Sequence, residues 1–424
     1  MRIFSSSFRK GKPYLLISLI WLGGYFGSSF FLLNPILALS GNDVHCKAFH
    51  ISFQISGYGS WANEGPTPMP SARGYHALAY DVENDRTILY AGADQYYDTF
   101  QDTWSYDHNT NTWENRTPTS SPPPLGAHAL AYDSKNEVVI LFGGDVDPFL
   151  STAETWVYDY DTNTWTNRTT SVAPPPRSGH SMVFDTQSER ILLFGGQYWD
   201  GQFEYAYHDT WTYDYDTNQW TNVTPAISPG NRMFYGMSYD EVFDRTVIFG
   251  GFSGGSGVTR TGFNDETWVF DLETANWTEL TITEAPGARA YGKMVYHSAI
   301  GCSVLYGGWN EETGQYYSDT WAYNYSTNTW TQLDVSPSPN IRLRHQLAYD
   351  NESERIVLFS GASTGFSYQQ ATWTFEFTPV QPPPPPPIPS FPIESILVGI
   401  IIGILCVVII RRKRQQQIND TREE

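Results

Sequence analysis

The chain has 424 residues, 40% hydrophobic and 16% aromatic, with a formal net charge of −20. Between Cys46 and Ser390 it carries 16 Lys+Arg against 40 Asp+Glu, a balance of −24. That acidity argues against a nucleic-acid partner and against docking on anionic lipid, and it suits solubility, cation binding or basic partners.

Residues 1–40 read as a targeting segment. Arg2, Arg9, Lys10 and Lys12 come without an acid, Tyr14 to Leu39 is uncharged and mostly apolar, and Ala38-Leu-Ser40 offers small residues for cleavage. This is a secretory signal pattern; an uncleaved signal anchor is the competing reading. Phe49 to Ile55 is strand-like and has no clear place in the repeat count that follows.

Residues 46–379 are expected to form one repeat domain, because twelve of the fifteen tryptophans fall on two interleaved ladders. One is Trp104, Trp156, Trp211, Trp268, Trp321 and Trp373; the other is Trp61, Trp113, Trp165, Trp220, Trp277 and Trp330. A fixed period of this size marks repeated supersecondary units. From the first Trp to the second, aromatic-polar alternation surrounds a polar tip such as Asp161-Thr162-Asn163. This predicts a β-hairpin whose Asn takes positive φ at the turn. Upstream lies a second hairpin, with strands such as His128 to Tyr132 and Val138 to Phe142. It ends in a small pair: Ala91-Gly92, Gly143-Gly144, Gly195-Gly196, Gly250-Gly251, Gly307-Gly308 or Ser360-Gly361. Glycine there permits unusual backbone angles or a close approach of neighbouring backbone. Each unit is thus a four-stranded antiparallel sheet, and such sheets bury both faces by stacking radially.

The small pair after an apolar strand, the acid-Thr-Trp that follows and the downstream Trp resemble the kelch repeat over roughly residues 60 to 378, in six copies. The resemblance implies an all-β, six-bladed β-propeller. The sixth unit lacks its second-ladder Trp, and Trp61 supplies an orphan, so an N-terminal strand is expected to complete blade six and close the ring. A seventh, partial blade is the alternative.

Antiparallel order puts the loop between strands two and three on the same face as the connection into the next blade. These 2–3 loops vary most in length, and variable loops on a rigid scaffold are where binding residues tend to sit. They offer Tyr96 and Tyr97 in blade one, Tyr198 and Trp199 in blade three, and Trp309, Tyr316 and Tyr317 in blade five. Exposed aromatics beside carboxylates stack on sugars or anchor a protein; the alternative is that they cap neighbouring blades. Arg73, Arg177, Arg232, Arg289 and Arg342 share one position just before the innermost strand, where they are expected to ring the central opening and could bind an anion or an acidic side chain. The competing reading pairs them with the aligned acids Asp102, Glu154, Asp209, Glu266 and Asp319. Blade two has Leu125 at the arginine position and blade six has Ala371 at the acid position, which leaves Arg342 as the arginine expected to be free.

His76, His128, His180 and His345 share another position, without the spacing of a metal site, so hydrogen bonding within the scaffold is the expected role and no metal or cofactor is expected. Cys46 and Cys302 could pair in an oxidising compartment, but nothing in the sequence requires it. The resemblance also admits enzymes, since copper oxidases related to galactose oxidase use a Tyr–Cys crosslink with histidine ligands; here no histidine pair accompanies Cys302. Asn115, Asn167, Asn222, Asn276, Asn324 and Asn351 stand in Asn-X-Ser/Thr sequons and are candidates for glycosylation.

Residues 380–392 form a proline-rich stalk, expected to be a polyproline II rod. Residues 393–410 are apolar and about long enough to span a bilayer as a transmembrane helix, and the basic tail 411–424 begins Arg411-Arg-Lys-Arg414. The positive-inside rule then places the tail in the cytoplasm and the propeller outside the cell. The sequence therefore points to a cell-surface binding propeller that recognises a protein or glycan through its 2–3 loop face. An extracellular carbohydrate-active enzyme and a structural surface-layer component are the alternatives.

Overall fold

The structure is a computed structural model that describes residues 57–147, 150–199, 204–254 and 260–379. The expected signal segment, Phe49 to Ile55, Cys46, stalk, transmembrane helix and tail all lie outside these residues. Among the described residues no helix is long and apolar enough to cross a membrane.

Six four-stranded antiparallel sheets make a six-bladed propeller. Blade one is Ala77–Asp81, Arg86–Tyr90, Thr103–Asp107 and Thr112–Asn115, paired in sequence order. Blades two to five repeat this arrangement. Blade six takes Gln346–Asp350, Arg355–Phe359 and Thr372–Pro379 from the end of the propeller and Gly57–Asn63 from its start, with Trp61 opposite Phe375. The expected closure is the observed one. In blades two to five the 2–3 connections are not plain loops, because each folds into a short two-stranded ribbon such as Gln197–Trp199 with Glu204–Ala206.

The small pairs show why only their second member is always glycine. The first member has φ between 52° and 73°, in the left-handed region where Ala91 and Ser360 are accommodated. The second has φ from 94° to 108°, outside that well. A Cβ on Gly92 would also lie 2.8 Å from the Gly74 carbonyl oxygen and from His76 Cβ. The hairpin tips behave as expected, with positive φ at Asn111, Asn163, Asn218 and Asn328, and Ala275 taking the place in blade four.

The second tryptophan ladder stitches the blades together. Each indole packs on an aromatic of the preceding blade at 4.8–5.0 Å, as Trp61 does on Tyr306 and Trp165 on Tyr90. Each Nε1–H also donates to the threonine that opens the preceding blade's third strand: Trp61 to Thr320, Trp113 to Thr372, Trp165 to Thr103, and so on around the ring. The first ladder binds within its own blade, where Trp104, Trp156, Trp211, Trp268 and Trp321 donate to the acid two residues earlier.

Candidate functional site

The arginine column does not ring the central opening. Arg73, Arg177, Arg232 and Arg289 are at most 1% exposed. Each is paired with the acid of its own blade: Asp102, Asp209, Glu266 and Asp319, at 2.5–2.7 Å. Three of these pairs are bidentate. The guanidinium groups also lie over Phe100, Tyr207 and Tyr317 in blades one, three and five. A buried guanidinium needs a counter-charge, and the clamp supplies one while accepting the first-ladder indole on the same carboxylate. Arg342 has no acid, but it is also buried, and donates to the carbonyls of Asn340 and Ile341 instead. Among the described residues it has no ion pair, and it is inaccessible, so none of the five arginines is available to an outside anion.

The residues that ring the axis stand two positions further on. Tyr75, Ala127, Gly179, Phe234, Tyr291 and Arg344 all have positive φ. Their backbones form a chain of hydrogen bonds around the ring: Tyr75 N–H to Arg344, Ala127 to Tyr75, Gly179 to Ala127, Phe234 to Gly179 and Tyr291 to Phe234. Tyr75 in blade one reaches Phe234 in blade four, diametrically across, with ring centroids 6.1 Å apart; Phe234 and Tyr291 are at 4.5 Å. Aromatic side chains therefore fill the axis at the 2–3 face. The sequence held this column, but it is heterogeneous, and the more regular arginine column beside it drew the assignment.

Arg344 is the polar centre of this plug. Its guanidinium lies 4.6 Å from the Tyr75 ring centroid and 4.5 Å from that of Phe366, with Tyr291 and Tyr97 at 5.7 and 5.9 Å. Its Nη1 donates to the Tyr368 hydroxyl at 3.1 Å. Burial opposes its charge, but the phenols of Tyr75, Tyr291 and Tyr368 outweigh this and raise its pKa above the usual arginine value. No carboxylate pairs with it among the described residues. Cation–π contacts of this kind hold an arginine in place and leave its remaining N–H groups free to donate.

The expected aromatics separate into three groups. Tyr96 and Tyr97 are exposed, at 74% and 50%, beside the Arg344 nest and Phe366, which is 38% exposed. Tyr198 and Trp199 are half-buried in the blade-three ribbon, where Tyr198 stacks on Tyr205 at 6.4 Å. Trp309 is only 8% exposed and belongs to the plug, stacked on half-buried Tyr316 at 5.9 Å and edge-on to Phe263 and Phe366. Its expected role as an exposed anchor is thereby corrected. Tyr317 serves as the wall of the Arg289 clamp, 3.7 Å from its guanidinium.

Burial also bears on the histidines, Cys302 and the sequons. His76, His128, His180 and His345 are 0–3% exposed and stand edge-on to Phe359, Tyr90, Phe142 and Tyr306. The expected hydrogen bonding is not found, since among the described residues their ring nitrogens are buried without a hydrogen-bond partner, and they pack against these rings instead. Burial lowers all four pKa values, that of His128 to about 3. Cys302 is fully buried, and burial raises its thiol pKa to about 12. Asn324 is 4% exposed with its amide oxygen accepting from Ser326 and Thr327, so its sequon is closed to modification in the folded state. Asn115, Asn167, Asn222, Asn276 and Asn351 are exposed. Among the described residues no group of three or more His, Cys, Asp or Glu side chains could hold a metal ion.

The repeat agrees with the protein-family comparison, in which residues 126–361 match the KLHDC2/KLHL20/DRC7 Kelch-repeats domain. The chain belongs to the kelch-repeat family. Among curated proteins this kelch chain is 25% identical over 237 residues to "Kelch domain-containing protein 3" of Homo sapiens, covering 54% of this chain and 59% of that protein. It is 26% identical over 202 residues to "Mei4-dependent protein 6" of Schizosaccharomyces pombe, covering 44% of this chain and 28% of that protein. The matched region thus spans less than two thirds of the length of these kelch relatives, and their activities and partners do not transfer with the fold.

Proposed function

We propose that this propeller is a binding module that docks a protein partner on its 2–3 face, around Arg344. The observation that carries the reading is the nest itself. An arginine with no counter-acid among the described residues is held by aromatic rings at the propeller axis, with Tyr96, Tyr97 and Phe366 exposed around it. Exposed aromatics and a held arginine are the residue types that dominate interface energetics. Kelch propellers typically serve as protein–protein interaction modules, which agrees with this reading.

The apolar segment 393–410 followed by Arg411 to Arg414 supports a membrane-anchored propeller facing outward. The exposed sequons at Asn115, Asn167, Asn222, Asn276 and Asn351 are compatible with that side. Affinity capture with the full chain, run beside a Tyr96→Ala/Tyr97→Ala/Phe366→Ala variant and a Val82→Asp variant on the opposite face, tests the docking face. Loss of the captured protein with the triple variant alone supports the reading; loss with Val82→Asp alone refutes it. A glycan array with the same proteins distinguishes a sugar ligand, and protease protection of the tail tests the orientation.

A further inference from the structure

The opposite end of the axis is hollow. A cavity of about 460 Å³ runs between the innermost strands of all six blades. Its mouth lies at the turns after these strands, where Val82, Ser134, Thr186, Glu241, Ser298 and Asn351 are exposed. Its far end reaches His128 and His180, one residue beyond the layer of Lys293, which pairs with Tyr306 at the 2–3 end of its strand. The aromatic plug stands beyond that level, so the cavity is a cup open on one face.

Six equivalent positions form the layer of Lys293: Ala77, Ala129, Ser181, Gly236, Lys293 and Gln346. Five are small or neutral, which leaves room at the bottom of the cup. Blade five alone puts an ammonium into that room. No hydrogen bond or ion pair reaches Lys293 among the described residues, whereas the buried arginines nearby have carboxylates or carbonyls. Of the titratable groups that line the cup, His128 and His180 stand at its depth and Glu241 at its mouth; burial holds both histidines neutral, and His180, with His76 and His345 behind the wall, feels the field of Lys293. Burial has the same effect on the lysine, whose pKa falls to about 8. Above this layer the wall is apolar, built from Leu78, Leu130, Met182, Met237, Met294 and Leu347. The volume lies in the ~300–1,000 Å³ range of small-molecule sites.

We infer that the cup is a binding site for a small organic anion, whose carboxylate or sulfonate meets the Lys293 ammonium at depth and whose apolar body fills the shaft. Lys293 is half-buried and lines the open cup, so its ammonium can be reached from the shaft, where a ligand anion gains a counter-charge away from bulk water while the shaft desolvates the rest of the ligand. This site is on the face opposite the proposed protein-docking surface, and neither reading depends on the other.

Calorimetric titration of the full chain with 2-naphthoate and with its neutral amide tests the inference. The expected result is 1:1 binding of the carboxylate, at least ten-fold tighter than the amide. Lys293→Met should remove that preference, while circular dichroism and the melting temperature confirm the fold. A second measurement needs no variant for its outcome. After reductive [13C]methylation, one lysine resonance should titrate near pH 8 and move to higher pKa when 2-naphthoate is added. Equal binding of the acid and amide overturns the proposal, as does undiminished binding of naphthoate to Lys293→Met or a lysine titration indifferent to naphthoate.

Discussion

Blades three and six share the four-strand order, the second glycine of the small pair and both tryptophan ladders, yet differ in the clamp. Blade three carries the full clamp: Arg177 bound through two N–H groups to Asp209, which also accepts the Trp211 indole N–H at 2.7 Å. Blade six keeps the arginine and the tryptophan, but Ala371 replaces the acid. Arg342 falls back on carbonyls, and the Trp373 indole nitrogen is buried with no partner. Blade six is also the blade assembled from both ends of the repeat region. What fastens it is the inter-blade stitch of Trp61, while the internal clamp is dispensable there. The architecture thus rests on the ring of indole–threonine bonds, and the clamp is a reinforcement that a blade can lack.

The largest effect that can break this comparison is removal of the stitch. Trp61→Ala in blade six and Trp220→Ala in blade three should each cost about 3–5 kcal/mol, since both delete a buried indole and leave a void. Chemical denaturation of the two variants checks this. If Trp61→Ala cost less than about 1 kcal/mol, the N-terminal strand would be an accessory to blade six instead of its fourth strand.

The clamp gives the next contrast. Asp209→Ala leaves Arg177 buried without its counter-charge, with an expected loss of about 3 kcal/mol or more. Arg342→Met removes a buried cation that has no acid, and should be neutral or stabilising by about 1 kcal/mol. A melting-temperature difference between the two variants measures the contrast. Equal losses would show that the arginine's carbonyl bonds alone suffice.

Acid should weaken the two blades alike. Burial depresses the pKa of His180 in blade three and of His345 in blade six, the latter to about 3. Above the unfolded value near 6.5 both states are neutral and no stability is lost. As pH falls below it the unfolded chain takes up protons first, so each histidine removes about 1.4 kcal/mol per pH unit until its folded pKa is reached. His76 and His128 act in the same direction. Denaturation midpoints between pH 7 and pH 5 should fall steeply, and replacing His345 with Phe should flatten the slope by about one proton.

How much of this was legible follows from periodicity. The tryptophan ladders, the invariant second glycine and the missing sixth rung were readable because each recurs in a column that one physical demand explains. The arginine–acid pairing was readable as one of two options, and burial decides between them. The axis plug was not legible, because positive φ from Tyr75 to Arg344 places that column on the axis, and its six side chains have no common chemistry. Trp309 misled because its absence from the ladders suggested exposure, whereas a ribbon folds it under Phe366 and against Phe263. The central cup was hidden for a related reason: a lone Lys293 in an otherwise small-residue column stands out only once the column is known to surround a space.

The smallest and most specific prediction is to give blade six the device it lacks. Ala371→Asp places a carboxylate two residues before Trp373, the spacing at which Asp209 meets Trp211. It would offer an acceptor to the indole nitrogen that now has none and a counter-charge to Arg342, whose pKa burial now lowers. Against these gains stands the desolvation of the new carboxylate, which offsets most of the ion pair's attraction. The net should be a stabilisation of about 1 kcal/mol, close to the worth of a typical intramolecular hydrogen bond. Thermal denaturation of Ala371→Asp, alone and combined with Arg342→Met, resolves the two parts. The gain should shrink or reverse in the double variant, because the aspartate then keeps only the indole. A gain that survives unchanged would mean that the clamp's stabilisation lies in the acid–tryptophan bond alone, and the arginine column would need another explanation.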